Sequence, residues 1–161
     1  MDVFTLLKQD HKEAKQLFEK IEQSSSRAMK LREKSMQQLA QELEMHTSVE
    51  EEIVYPRLKE IDSLKDTILE AYEEHHVATQ LLQEITELSP QDEQWMAKVT
   101  VLKEMVEHHV REEEKDLFPK AQKALGKEEA AELGKRVEEE KKRRQRSSRG
   151  TPKVALGQLR L

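Results

Sequence analysis

Apolar side chains recur every three or four residues along most of this chain, which is the spacing of one face of an α-helix. Serines 24–26, Pro56 and Pro90 interrupt this periodicity. Pro56 is predicted to end the second helix, and Pro119 is predicted to kink or end the fourth. The periodic stretches cover positions 4–21, 36–53, 64–85 and 95–117.

Four amphipathic helices with short connections predict an all-α fold. Because helices joined by short loops pack as antiparallel neighbours, the expected architecture is an up-down-up-down four-helix bundle. The third helix is expected to begin at an N-cap near Asp62 or Ser63.

Beyond Gly126 the apolar pattern weakens. The sequence still has helical propensity there, with a weak apolar face of Ala131, Leu133 and Val137, and predicts a short fifth helix that frays. The last segment mixes Ser, Gly, Pro and Arg without periodicity, so it is predicted to be disordered. The expected organisation is a bundle over 1–125, a C-terminal helix over 126–146 and a basic tail over 147–161.

The composition narrows the choice of function. Charged residues make up 38% of the 161 residues and hydrophobic residues 35%, so one domain with an economical core is expected. The absence of cysteine excludes disulfides, thiolate metal sites and cysteine nucleophiles. No apolar run reaches the ~18 residues of a membrane span, and no signal peptide is recognisable, so a cytoplasmic protein is expected. No phosphate-binding loop, nucleophile elbow or dinucleotide fingerprint supports a kinase, hydrolase or dehydrogenase.

Six polar residues lie within the apolar stripes, where packing alone does not favour them. Burying such groups without partners costs free energy, although a single histidine on an apolar face is more often a hydrogen-bonded core residue than a metal ligand. These residues are His11, His46, Glu50, His75, His109 and Glu113.

An internal repeat links the six residues. The segment around His11 aligns with the segment around His75 at an offset of 64, and the HxxxE motif that starts at His46 aligns with the one at His109 at an offset of 63. The chain is therefore predicted to consist of two similar helical hairpins. In an antiparallel bundle, each hairpin brings two histidines and one glutamate to the same central level. The repeat selects His75 and His109 over their neighbours His76 and His108.

Four imidazoles and two carboxylates suit two first-row transition-metal ions. If Glu50 and Glu113 each bridge both ions, every ion receives two histidines and two carboxylate oxygens. Two positions on each ion then stay open for an oxo or hydroxo bridge and for an external ligand. Iron is the preferred metal because dioxygen chemistry uses such open positions, and zinc and manganese remain chemically compatible.

The order of these residues, followed by the Leu-Phe-Pro run at 117–119, resembles the hemerythrin-like proteins, also called the HHE cation-binding domain. The resemblance implies a four-helix bundle around a non-heme di-iron centre. It implies that His11 and His46 bind one iron, that His75 and His109 bind the other, and that Glu50 and Glu113 bridge them. The ligand implied is dioxygen, peroxide or nitric oxide.

The chain departs from the oxygen-carrying hemerythrins at two points. Those carriers have a further histidine one turn after the third-helix ligand, where this chain has Thr79. They also have an aspartate that follows the last histidine after four intervening residues, whereas Glu113 follows His109 after three. The chain resembles the bacterial variants more. The leading hypothesis is a di-iron protein that binds or reacts with these ligands in sensing, iron handling or stress response. A peroxide- or NO-decomposing enzyme is the alternative.

A third hypothesis is a metal-free helical interaction protein that acts through its basic tail. The basic run at 141–146 follows three glutamates and lacks interleaved aromatic residues, so a solvated segment is expected and contact with nucleic acid is not. The repeat pairs Tyr55 with Phe118 just before the two prolines. Both aromatic residues are predicted to be core plugs at one end of the bundle. A tyrosine could also donate a hydrogen bond to a metal-bound oxygen, but Tyr55 lies more than one helical turn beyond Glu50.

Overall fold

The computed structural model describes residues 1–149 and shows helices and short connections, which confirms the all-α four-helix bundle. α1 packs against α2 and α6, and α4 packs against α5. Two π-helical turns and one 3₁₀ turn accompany the α-helices. The α-helices are α1 (Val3–Gln23), α2 (Met29–Val49), α3 (Tyr55–Lys59), α4 (Lys65–Thr86), α5 (Trp95–Glu112) and α6 (Phe118–Arg149); the π-turns are Glu50–Val54 and Glu113–Leu117, and the 3₁₀ turn is Asp62–Leu64.

The second helix does not end at Pro56, so that prediction is wrong. The π-turn after α2 leads directly into α3, and Pro56 lies in the first turn of α3. A proline at the start of a helix is tolerated because the N–H it lacks has no obligatory partner there. Pro119 has the same place after the second π-turn, and the helix continues beyond it.

The third helix begins near the predicted position, but without the predicted cap. The 3₁₀ turn that starts at Asp62 precedes α4, and Leu64 occupies the N-cap without a side-chain hydrogen bond. By contrast, Asp2 caps α1 by accepting a hydrogen bond from the Thr5 backbone N–H at 2.9 Å.

The C-terminal part of α6 is a packed helix. Gly126, at φ 82°, breaks the helical geometry, a conformation that favours glycine. After this kink the helix buries Ala130, Leu133 and Val137, so it is Ala130 that faces the core and not Ala131, which is exposed.

At Gly134 this helix packs closely against the start of the chain. A Cβ atom there would clash with the Met1 carbonyl oxygen, so the absence of a side chain lets the backbones touch. The helix runs to Arg149, three residues beyond the predicted end. The rest of the predicted disordered tail lies outside the described residues.

The apolar core consists of two clusters, one toward each end of the bundle. The first cluster includes Leu7, Leu58 and Ile68, and the second includes Phe18 and Leu102. Five of the six polar residues singled out above lie between these clusters along their helices, and Glu50 lies beside Val49 at the edge of the first cluster. A polar layer therefore divides the core. Within residues 1–149, no helix is long and apolar enough to span a membrane.

Candidate metal centre

The structure brings all six predicted residues together in the interior. Each is at most 9% exposed, and Glu50 is fully buried. α1, α2, α4 and α5 each contribute one histidine, and the two π-turns begin with Glu50 and Glu113. Potential ligand atoms fall into two groups, each within 4.8 Å: His11, His46, Glu50 and Glu113 in one, and Glu50, His75 and His109 in the other.

Each glutamate lies between one histidine of each hairpin. Glu50 Oε1 is 3.1 Å from His46 Nε2 and 3.2 Å from His75 Nε2. Glu113 Oε1 is 3.2 Å from His109 Nε2 and 3.3 Å from His11 Nε2. The four Nε2 atoms therefore face a shared centre in which each carboxylate spans both histidine pairs.

Four further carboxylates hold the histidines from behind, and the sequence reasoning missed all four. Because a carboxylate accepts hydrogen bonds, each histidine donates from its Nδ1–H. The Nδ1 to oxygen distances are 2.9 Å for His46 to Asp10, 2.9 Å for His109 to Glu74, 3.2 Å for His75 to Glu51 and 3.3 Å for His11 to Glu114.

These four carboxylates could have been predicted from the repeat, because each adjoins one of its histidines or glutamates in the sequence. Asp10 and Glu74 each directly precede a histidine of the repeat, and Glu51 and Glu114 each directly follow a glutamate of the repeat. A histidine that donates from Nδ1 to a carboxylate keeps its Nε2 lone pair available, and the hydrogen bond raises its basicity as a ligand. The carboxylates therefore fix the tautomer that a metal centre needs.

Tyr55 is fully buried in the core, as predicted, and it is also a member of this site. Its hydroxyl donates a hydrogen bond to Glu113 Oε2 at 2.9 Å. The Tyr55 hydroxyl oxygen is also 3.3 Å from His75 Nε2 and 3.2 Å from His109 Nε2. The π-turn places Tyr55 here because its backbone N–H bonds to the Glu50 carbonyl five residues earlier, which stacks the two residues on one side of the helix.

Phe118, the counterpart of Tyr55 in the repeat, also contacts the site. Its ring stacks on His11 at a centroid distance of 5.9 Å. The Tyr55 ring stacks on His75 at 5.4 Å in the corresponding place. The two positions are related by the repeat, but one carries a hydroxyl and the other does not.

In the protein without metal, the histidines and glutamates form an ion-paired set. Burial lowers the pKa of His46, but the Glu50 charge and the Asp10 hydrogen bond outweigh burial and raise this pKa to about 10. Burial also opposes a charged His109, yet Glu113 and Glu74 raise its pKa well above the usual value. Burial raises the pKa of Glu50, and the His46 charge reverses the effect and holds that pKa well below its usual range.

The pKa of Tyr55 moves in the direction that keeps the phenol protonated. Burial raises it, and the nearby charges of Glu113 and Glu50 raise it further. The hydroxyl is therefore a proton donor next to the carboxylates.

Several buried atoms at the centre lack hydrogen-bond partners, and they are the atoms that a metal would use. They include His11 Nε2, His46 Nε2, both Glu50 carboxylate oxygens and Glu113 Oε1. These atoms approach each other to ion-pair distance, but not in the alignment of hydrogen bonds. Leaving a buried polar group unpaired costs about 1–3 kcal/mol, so the residues present fit a site for cations.

A cavity of about 60 Å³ opens beside the histidines. This exceeds the ~10–15 Å³ that one water molecule requires. Ala14, Leu82 and Val106 are among its apolar lining residues, and all four histidines and Thr79 also line it. The cavity therefore has room for a small molecule beside the histidines.

The two histidines that the repeat rejects lie outside the centre. His76 is exposed. His108 is at the surface, where its Nε2 is 3.1 Å from Glu112 Oε1 and 3.7 Å from Glu74 Oε2.

Comparisons with known proteins identify the family of this chain. A DNA nickase of Nostoc sp. is 32% identical over 118 residues, which cover 73% of this chain and 33% of the nickase, so the chain spans about a third of that relative. The solved structure of a hemerythrin HHE cation binding domain-containing protein from Mycobacterium kansasii has the same fold, with a TM-score of 0.84, 23% identity and 99% coverage of both chains. The family model of the hemerythrin HHE cation binding domain matches residues 2–121. This chain belongs to the hemerythrin HHE cation-binding family.

Proposed function

We propose that this protein holds two iron ions in the polar layer and binds dioxygen, peroxide or nitric oxide there. His11 and His46 would hold one ion, His75 and His109 the other, and Glu50 and Glu113 would bridge the two. The observation that carries the proposal is the convergence of unpaired buried Nε2 and carboxylate oxygen atoms in two overlapping groups.

The ring geometry supports this division into pairs. The His11 and His46 rings are 4.9 Å apart, and the His75 and His109 rings are 4.8 Å apart, in both cases edge to face. Nitrogen and oxygen donors without sulfur suit iron, although the same donors also accept manganese or zinc.

Iron bound in this layer would supply the redox chemistry that these ligands undergo. The protein's own residues contribute orientation, exclusion of water and one proton. The outer carboxylates orient the imidazoles, the apolar lining of the cavity limits water, and Tyr55 holds a proton at its hydroxyl oxygen, 2.9 Å from Glu113.

Iron analysis of purified protein, with a visible spectrum before and after exposure to oxygen, tests the proposal. We expect about two irons per chain and charge-transfer bands in the near-ultraviolet to visible range. Glu50→Gln, which preserves the shape of the side chain, should lower the iron content, while the exposed His76→Ala should not. Fewer than about one metal per chain after iron loading, without such bands, would reject the proposal.

A second candidate function is decomposition of peroxide or nitric oxide at the same centre. Thr79 favours it, because this residue is buried, lines the cavity and cannot serve as an imidazole ligand. An open coordination position that faces this cavity suits turnover better than simple reversible binding.

Peroxide turnover by iron-loaded and iron-free protein tests this second candidate. We expect turnover by the loaded protein, and a lower rate in Thr79→His, where an imidazole can occupy the open position. The Thr100→His variant, at an exposed site on α5, controls for the added histidine. Equal rates with and without iron would rule out the enzymatic function.

The basic segment at 141–146 contributes cations to ion pairs within the chain. Lys141 pairs with Asp10, and Arg144 pairs with Glu140 and Glu52. These contacts favour a structural role for the segment over the action of a metal-free protein through its tail. Truncation after Gly134 separates the two hypotheses, because the interaction hypothesis expects lost activity with unchanged metal content.

A further inference from the structure

We propose a second cation site on the surface, formed by Glu74, His108 and Glu112, which binds one divalent transition-metal ion such as Zn²⁺. It goes beyond the proposed function, and it does not require that the inner centre hold iron. The three side chains offer one nitrogen and two carboxylate oxygens, all within 4.8 Å of one another.

The three residues converge from two helices. His108 and Glu112 lie one turn apart on α5, and Glu74 reaches across from α4. His108 Nε2 lies 3.1 Å from Glu112 Oε1 and 3.7 Å from Glu74 Oε2. One imidazole and two carboxylates are a donor set that zinc, manganese and iron(II) accept, with positions left for water.

The opposite hairpin shows what a cation does at this position. Asp10 corresponds to Glu74 in the repeat, and each carboxylate holds a buried histidine from behind. Lys141 Nζ lies 2.6 Å from both Asp10 oxygens. Among the described residues, no lysine or arginine forms an ion pair with Glu74, which lies close to His108 and Glu112 instead.

The local charge favours a cation. Glu112 lies close to the negative charges of Glu74 and Glu70. A divalent ion would relieve this repulsion at low cost, because His108 is 56% exposed and needs little desolvation.

Glu74 connects the surface site to the interior. Its Oε1 accepts the hydrogen bond from His109 Nδ1 at 2.9 Å, while its Oε2 faces His108. An ion bound at Oε2 therefore withdraws charge from the carboxylate that polarises His109. This coupling, unlike the surface site itself, rests on the proposed function: with iron in the inner centre, filling the surface site should change its spectrum through Glu74.

Calorimetric titration of the iron-loaded protein with Zn²⁺ tests the proposal. We expect one Zn²⁺ bound per chain without release of iron. His108→Ala should weaken this binding by about tenfold or more, and Glu112→Gln provides a second variant at a half-buried position. The matched control is His76→Ala, which removes an exposed histidine close by on α4. Circular dichroism establishes that each variant is folded.

The outcomes separate the two sites. A zinc event that is weakened in His108→Ala and in Glu112→Gln, and unchanged in His76→Ala, supports the surface site. Absence of zinc binding, equal binding in all variants, or binding that displaces iron one for one would overturn it. Zinc binding and iron content are measured separately. Failure of the proposed iron centre can therefore be distinguished from failure of the surface site.

Discussion

The two halves of the centre are alike inside and different outside. His11, His46 and Glu50 form the first half, and His75, His109 and Glu113 form the second. Each half has outer carboxylates at corresponding positions. Beyond them, the His11 ring meets Phe118, whereas the His75 ring meets Tyr55.

The two halves of the repeat therefore share the geometry of the candidate ligands and differ in the residues around those ligands. Of the two aromatic residues, only Tyr55, on the second side, offers a proton donor. Its hydroxyl bonds to Glu113, whereas Phe118 has no hydroxyl. A lysine neutralises Asp10 on the first side, while Glu74 faces a histidine and a glutamate. Two ions in this layer would have similar ligands and unequal electronic environments.

Removing the metal and raising the pH should give the largest effect. In the metal-free protein the pKa of His46 is about 10, against 6.5 as its ordinary value. The folded state therefore retains a proton that the unfolded chain releases, so this stabilisation is complete below about pH 6.5 and is lost as the pH rises through about 10.

We expect the metal-free protein to lose a few kcal/mol of unfolding free energy over that range. The iron-loaded protein should change less, because its histidines bind as neutral ligands. Chemical denaturation at several pH values measures both forms, and histidine NMR titration compares His46 with His109. A flat profile for the metal-free protein would contradict the ion-paired description.

Tyr55→Phe makes the second half resemble the first. Loss of the hydroxyl leaves Glu113 Oε2 without its donor, so we expect the metal-free protein to lose about 1–3 kcal/mol. In the iron-loaded protein, the spectrum should move and peroxide turnover should fall. Tyr72→Phe is the control, because that hydroxyl donates to the Glu51 backbone carbonyl and not to the Glu113 carboxylate.

Lys141→Gln tests the difference on the first side and should have the smallest effect. It removes the cation from Asp10, which is 19% exposed, and we expect a loss of about 1 kcal/mol. The perturbation should be confined to the His46 side in histidine NMR spectra. Lys142→Gln, at an exposed neighbouring position, controls for the lost charge, and equal effects of the two variants would argue against a role of Lys141 in the centre.

The repeat and the helical periodicity were enough to predict the bundle and the interior position of the six residues. Equivalent residues of the two hairpins are separated by 63 or 64 positions. Because the hairpins are similar, these residues are expected at the same level of an antiparallel bundle. Assignment of these residues as metal ligands remains a prediction.

The π-turns could not be predicted from helical periodicity. On an α-helix, residues five apart point about 140° away from each other, so Tyr55 was expected far from Glu50. The widened turn bonds the Tyr55 N–H to the Glu50 carbonyl and returns Tyr55 to the same side. The kink at Gly126 likewise fixes which side of α6 meets α1, so Ala130 is buried where the stripe favoured Ala131.

The division of the core by a polar layer has a consequence for folding cooperativity. Leu7 and Leu58 belong to one apolar cluster, and Phe18 and Leu102 belong to the other. Side-chain contact between the clusters passes through histidines and glutamates, while the helices run past the layer. Metal bonds across the layer would join the clusters into one unfolding unit, so the number of unfolding transitions becomes a measure of metal occupancy.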